Sequence, residues 1–141
     1  MKSRTNLDSS LPIFEQHRRV STNEIDDLNH VNNVVYVQWA NDVASKHWTT
    51  VAPQEILDQY DWVMIKHCIE YKQSAILDDN ILIKTQVGRA TNVRYERFIE
   101  IYKEDSMELL AKTVSDWCAI DKNGKPVRIS QELRELFEVA E

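Results

Sequence analysis

Asp26, His30, Asn32 and Asn33 lie in one short stretch, Ile25-Asp26-Asp27-Leu28-Asn29-His30-Val31-Asn32-Asn33, and their types and spacing could do chemistry. A carboxylate can take a proton from water, and an imidazole can share that transfer or orient the reacting group. An asparagine can hold the acid and its water, or cap a helix. The residues that follow, Val34-Val35-Tyr36-Val37-Gln38-Trp39, begin a helical pattern. A helix start leaves backbone N–H groups unpaired and carries a partial positive charge. The N–H groups around Asn33 and Val34 are therefore candidate donors to an oxygen on which negative charge develops. The chemistry suggested is attack of water on a polarised carbonyl. The same residue types favour capped turns for purely local reasons, and by themselves they leave both readings open.

The order of the residues adds to this. Asp26 stands four residues before His30-Val31-Asn32-Asn33, with Tyr36 and Trp39 beyond, and this closely resembles the first-helix signature of hotdog-fold acyl-CoA and acyl-carrier-protein thioesterases, the 4-hydroxybenzoyl-CoA thioesterase-like group. The resemblance implies hydrolysis of an acyl thioester to a free carboxylic acid and a thiol. It makes Asp26 the general base or nucleophile, with His30 orienting the carbonyl or water or sharing the proton. Asn32 or Asn33 would cap the helix or hold the acid and its water, Val34 and Trp39 would meet the acyl group, and Tyr36 would line the acyl tunnel or pack. No cofactor is implied, coenzyme A being part of the substrate or product, and no metal. The acyl group expected is medium- or long-chain, the setting fatty-acid metabolism, and the assembly a homodimer or dimer of dimers.

Two positions depart from the pattern. Asn29 stands where many relatives have glycine, which fits a turn needing positive φ because Asn tolerates that conformation. Ser74, after Glu70-Tyr71-Lys72-Gln73, stands where the plant acyl-carrier-protein enzymes carry a further acid. Two rival readings share the scaffold. A hotdog dehydratase or hydratase would use the same acid, histidine and helix end, but the order Asp26 to His30-Val31-Asn32-Asn33 is thioesterase-like. A non-catalytic acyl-thioester-binding module would have no need of Asp26.

These residues must be positioned by the elements around them. Tyr36, Trp39/Ala40, Val43 and His47 recur at helical spacing and predict a helix from about Asn33 to Trp48. A strand from Ile13 to Ser21 precedes it, and a short helix from Gln54 to Tyr60 follows Pro53. Four strand-like runs come next: Trp62–Tyr71, Ile81–Val87, Val93–Tyr102 and Met107–Ile120. In the first, alternation predicts that Val63, Ile65, His67, Ile69 and Tyr71 share one face, with His67 a satisfied core or interface histidine. In the third, Arg97 interrupts the apolar side, which predicts a twist, bulge or edge position. Ser130 can cap a final helix with the stripe Leu133, Leu136/Phe137 and Ala140. The expected fold is α+β, a hotdog with a curled antiparallel sheet wrapped around one long central helix, plus a C-terminal helix. Residues 1–10 read as a polar extension and 11–141 as a single domain.

With 141 residues, 43% hydrophobic and 28% charged, the chain can bury a real core. A net charge of −6, from 23 acidic and 17 basic residues, makes nucleic acid a poor partner. It also offers no general attraction to a polyanionic carrier, so phosphate contacts must be local. Lys84, Arg89, Arg94 and Arg97 form the loose basic set from which they could come, with Arg89 and Arg94 the candidate substrate contacts. Arg18-Arg19 reads as a solvated pair and His47 as packing. Cys68 and Cys118 have no metal-ligand spacing and read as buried free thiols. No apolar leader or membrane-length segment is seen, so the expectation is a cytoplasmic protein that meets an acyl-CoA or acyl-carrier protein and no membrane.

Overall fold

A computed structural model describes residues 4–138. Residue Ala140 of the expected C-terminal stripe, and residues 1–3 of the expected extension, lie outside the described residues. The elements run β1 (Phe14–Arg19), a 3-10 turn (Thr22–Glu24), α1 (Asn33–Val51), α2 (Gln54–Leu57), β2 (Tyr60–Tyr71), β3 (Asn80–Thr91), β4 (Arg94–Lys103), β5 (Glu108–Asp121) and α3 (Gln131–Phe137). All five strands join one antiparallel sheet in the order β1-β3-β4-β5-β2. The last three strands are linked by tight turns, and Asn92 and Met107 take up the positive φ those turns need, at 50° and 58°.

The fold is α+β, but the expected curled sheet around one long central helix is not what forms. The two end strands, β1 and β2, do not pair with each other, so the sheet is open. The 19-residue α1 packs over β3 and β1, towards one side of the sheet, and its Gln38, Asn41, Ser45, Lys46 and Thr49 remain exposed. The physical reason is that the helical cover is divided. One apolar cluster joins Tyr36, Trp39, Ala40 and Val43 of α1 to Ile81, Ile83, Ile99 and Ile101 of the sheet. A second joins Trp48 at the end of α1 and Ile56 of α2 to Tyr95, Ala119 and the Leu133 and Phe137 stripe of α3. No single helix is enclosed, because α3 buries what α1 does not reach.

Face assignments also change along β2. A bulge between Met64 and Lys66 leaves Ile65 without a partner on β5. Since side chains alternate with a period of two, one extra residue exchanges the faces. Trp62 and Met64 turn inward before the bulge, His67 and Ile69 after it, and Val63 and Ile65 are 44% and 49% exposed. The expected common face of Val63, Ile65, His67, Ile69 and Tyr71 is therefore split. His67 is not satisfied either: both ring nitrogens are buried without a partner among the described residues.

Arg97 does lie on the apolar side, on the central strand β4 rather than an edge. The irregularity expected there sits on its neighbour, where the β3 register shifts between Val87 and Ala90. Gly88, inside that shift, has no room for a side chain, since a Cβ would stand 2.5 Å from both Glu96 Oε1 and the buried Phe98 ring.

The N-terminal segment lies against the outer face of β3 and β4. Gln86, 1% exposed, accepts from Arg4 Nη1 (2.7 Å) and the Asp8 N–H (2.9 Å). Its amide group donates to the Asp8, Leu11 and Pro12 carbonyls at 2.7, 3.3 and 3.3 Å. The Arg4 guanidinium stands 4.2 Å from the centre of the Phe98 ring.

Candidate active site at the start of helix 1

The Asp26–Asn33 segment is a tight loop held by its own backbone hydrogen bonds. The Asp26 N–H donates to His30 O at 2.9 Å and the Asn29 N–H to Asp26 O at 3.0 Å. Asn29 has φ of 63°, the left-handed conformation its side chain tolerates. Asp26 Oδ1 accepts the Leu28 N–H (2.9 Å) and the His30 N–H (3.3 Å), while Oδ2 has no partner among the described residues. One carboxylate oxygen thus organises the loop and the other is available. The His30 side chain is exposed and stands at the loop's end.

Asn32 is the N-cap of α1, its Oδ1 accepting the Val34 N–H at 3.1 Å. That occupies one of the two backbone donors considered for an oxyanion. The Asn33 N–H, at the first helical position, has no partner among the described residues. The site therefore offers one free donor, Asn33, at the positive end of a 19-residue helix.

The scaffold behind the loop comes from residues whose roles the sequence did not announce. Val31 donates to Ala75 O (2.9 Å) and Asn32 to Glu24 O (3.0 Å), tying the helix start to both flanking segments. The Tyr36 hydroxyl accepts the Ala75 N–H at 2.9 Å, and burial raises its pKa, so it stays neutral. Trp39, fully buried, donates its indole N–H to Glu24 Oε2 at 2.8 Å. Burial alone would push the Glu24 carboxyl up, but the Ser21 N–H, Trp39, the Ser21 hydroxyl and Arg18 hold it below the usual carboxylate range. Tyr36 and Trp39 thus brace the loop from the core, whereas Val34 is 69% exposed beside it. Tyr71 donates to Asn33 O at 3.1 Å and is 41% exposed, which adds an aromatic surface at the mouth. It belongs to the Glu70–Ser74 stretch, and that stretch leads directly into the Ala75 backbone that holds Val31 and Tyr36. Ser74 itself is exposed.

The basic candidates do not gather here. Arg89 and Arg94 line a separate cavity of about 600 Å³ together with Arg4, Lys66 and Lys112, and none of Asp26, His30, Asn32, Asn33, Val34, Tyr36 or Trp39 lines it. Arg94 pairs with Asp116 at 2.7 Å. It alternates along β4 with Tyr95 and Arg97, which face α1, so it points to the other side of the sheet. Lys84 pairs with Glu15 at 3.7 Å. Arg18 is not simply solvated: it stands 3.4 Å from both Glu24 and Asp42 and 5.2 Å over the Trp39 ring, while Arg19 pairs with Asp78 at 3.3 Å. Both cysteines are free, Cys118 buried but Cys68 exposed, contrary to the expectation of two buried thiols. Among the described residues no group of acids, histidines and cysteines could hold a metal. No helix of the described residues is long and apolar enough to cross a membrane.

His47 is packing, as its place on the α1 stripe suggests. It stacks on Phe14 at 4.9 Å and its Nδ1 accepts from Arg97 Nη1 at 3.0 Å. Burial, and then the Arg97 charge, push its pKa down to about 3. Above pH 6.5 His47 is neutral folded or unfolded and contributes no pH dependence. As pH falls from about 6.5 towards 3, the unfolded chain takes up a proton that the folded chain refuses. Stability from this group should then fall by up to about 1.4 kcal/mol per pH unit. His47→Gln, which keeps an acceptor for Arg97, should flatten that limb in urea titrations; equal acid slopes for the two proteins would refute the assignment.

The comparisons bear on this arrangement. Residues 20–137 match the family model of the thioesterase-like superfamily. The chain belongs to that superfamily. The match takes in the whole Asp26–Asn33 loop, α1 and four of the five strands. No curated protein matches the chain. Among solved structures, it is similar to a 1,4-dihydroxy-2-naphthoyl-CoA thioesterase from Synechocystis, with a TM-score of 0.77 at 18% identity, over 89% of this chain and 95% of that one. It is similar to a hypothetical protein from Aquifex aeolicus, with a TM-score of 0.77 at 22% identity over 88% and 98%. A hypothetical protein from Staphylococcus aureus solved in complex with CoA gives 0.77 at 17% over 89% and 82%. At these identities the likenesses establish the hotdog-like fold of this superfamily member.

Proposed function

We propose that this thioesterase-like superfamily member hydrolyses acyl thioesters of coenzyme A or acyl-carrier protein, giving the carboxylic acid and the free thiol. The observation that carries the reading is the presence, in one hydrogen-bonded loop, of a half-free carboxylate at Asp26 and a free backbone donor at Asn33. The thioester oxygen accepts the Asn33 N–H. Asp26 Oδ2 removes a proton from a water that attacks the carbonyl carbon. Negative charge moves onto oxygen at the positive helix end, and collapse expels the thiolate, which takes up a proton. His30 orients the carbonyl or the water from the end of the loop. Asn32, committed to capping Val34, positions the donor rather than touching substrate.

Leu28, Val34, Ile76, Leu77 and Tyr71 are all more than two-fifths exposed in the segments that meet here. Such a concentration of exposed apolar surface supports an apolar acyl group of medium or long chain. The proteins like this one that are named or solved with CoA support the carrier. The free edge of β2, with Val63 and Ile65 exposed beside it, supports a homodimer; a single-chain mass by light scattering would overturn that assembly. An acyl-CoA and acyl-carrier-protein panel with thiol detection tests the activity, and no thiol release from any member would overturn it.

A further inference from the structure

Among the described residues Arg97 is the one buried Lys or Arg, and it forms no ion pair with an acid. It is 5% exposed, and its Nη1 donates to two neutral acceptors, His47 Nδ1 at 3.0 Å and Thr85 Oγ1 at 2.8 Å. Its Nε and Nη2 have no hydrogen-bond partner among the described residues. Burial lowers its pKa only to about 10, so it remains a cation at neutral pH. A buried charge without a counter-charge is costly.

Arg97 lines a cavity of about 300 Å³ whose aromatic walls are Trp48, Trp62, Tyr95, Trp117 and Phe137. The cavity therefore presents a cation and flat apolar walls, and the three carboxylates in its lining, Asp42, Asp61 and Glu96, are engaged by Arg18 and Gln38, Lys122 and the Arg89 N–H rather than by Arg97.

We infer that this cavity is a binding site for a small carboxylate with a flat apolar body, its carboxylate on Arg97 and its ring among the aromatic walls. A guanidinium matches a carboxylate in two-point geometry, and aromatic walls favour a planar body. The volume is at the small end for ligand sites, which suits such an acid and excludes a whole coenzyme A. The site is separate from the Asp26 loop. Ala44 and Trp48, which line it, stand roughly 16 and 22 Å along α1 from Asn33, and no residue of the loop lines it.

Calorimetric titration of the full chain with benzoate and phenylacetate, against benzamide and phenylacetamide, tests the inference. The acids should bind saturably at one per chain and the amides at least tenfold more weakly. Arg97→Gln should abolish that preference. Should it fail to fold, Ser45→Trp, a substitution of an exposed rim residue, should block binding without touching Arg97. Asp26→Asn should leave acid binding unchanged. Equal binding of acid and amide, no saturable binding, binding that survives Ser45→Trp, or loss of binding in Asp26→Asn would each overturn the assignment.

Discussion

Asn33→Pro should lower kcat by about 100- to 1,000-fold while leaving the fold intact, the loss typical of one oxyanion donor. The position suits this substitution unusually well. Asn33 is the first residue of α1, where proline's fixed φ is already helical and its missing N–H breaks no intrahelical bond. The preceding Asn32 has φ −61° and ψ 137°, the extended conformation that a following proline demands. The Asn33 carbonyl, which holds Tyr71, is retained. Asn33→Ala removes the side chain and keeps the N–H, so it should stay within a few-fold of wild type. Steady-state thioesterase rates with circular dichroism as the folding control separate the two. Equal rates for Pro and Ala variants would remove Asn33 from the mechanism.

Asp26→Asn should cost about 100- to 10,000-fold in kcat, the range for loss of a general base, with melting temperature nearly unchanged. Fold and chemistry separate here because they use different oxygens. Oδ1 receives the Leu28 and His30 N–H groups, and an asparagine can present the same carbonyl oxygen to them. What disappears is the charge and the proton-accepting Oδ2. Full activity in this variant would exclude Asp26 as base or nucleophile. A drop in activity matched by a large drop in melting temperature would instead mark Asp26 as a loop brace alone.

The local parts of this site could be read from residue order because their causes are local. Asn32 caps α1 and Ser130 caps α3, accepting the Leu133 N–H at 3.1 Å, as short polar side chains before apolar stripes do. Asn29 carries the positive φ that its replacement of glycine suggested. The chain of turns and strands after Tyr60 was legible for the same reason. What depended on long-range packing was not. Nothing in Trp62–Tyr71 marks Ile65 as a bulge, because either alternation gives β2 an apolar face. Arg89, Arg94 and Arg97 are close in sequence, yet strand alternation sends Arg94 and Arg97 to opposite sides of the sheet, one to a charged cavity and one into the core. The open sheet was hidden too, since α3's share of the cover depends on Phe137 meeting Trp48 and Tyr95, a contact across most of the chain.

Gln86 has a consequence for the other end of the molecule. Arg4, Asp8, Leu11 and Pro12 all converge on this one amide, so they are not independent attachments. Gln86 is a shared buckle for both ends of the N-terminal segment, while Leu7, donating to Glu100 Oε2 at 3.1 Å, and Asn6, accepting from Lys112 Nζ at 3.1 Å, fasten its middle: releasing the amide should loosen the cover over Phe98 at several points at once rather than residue by residue from its tip.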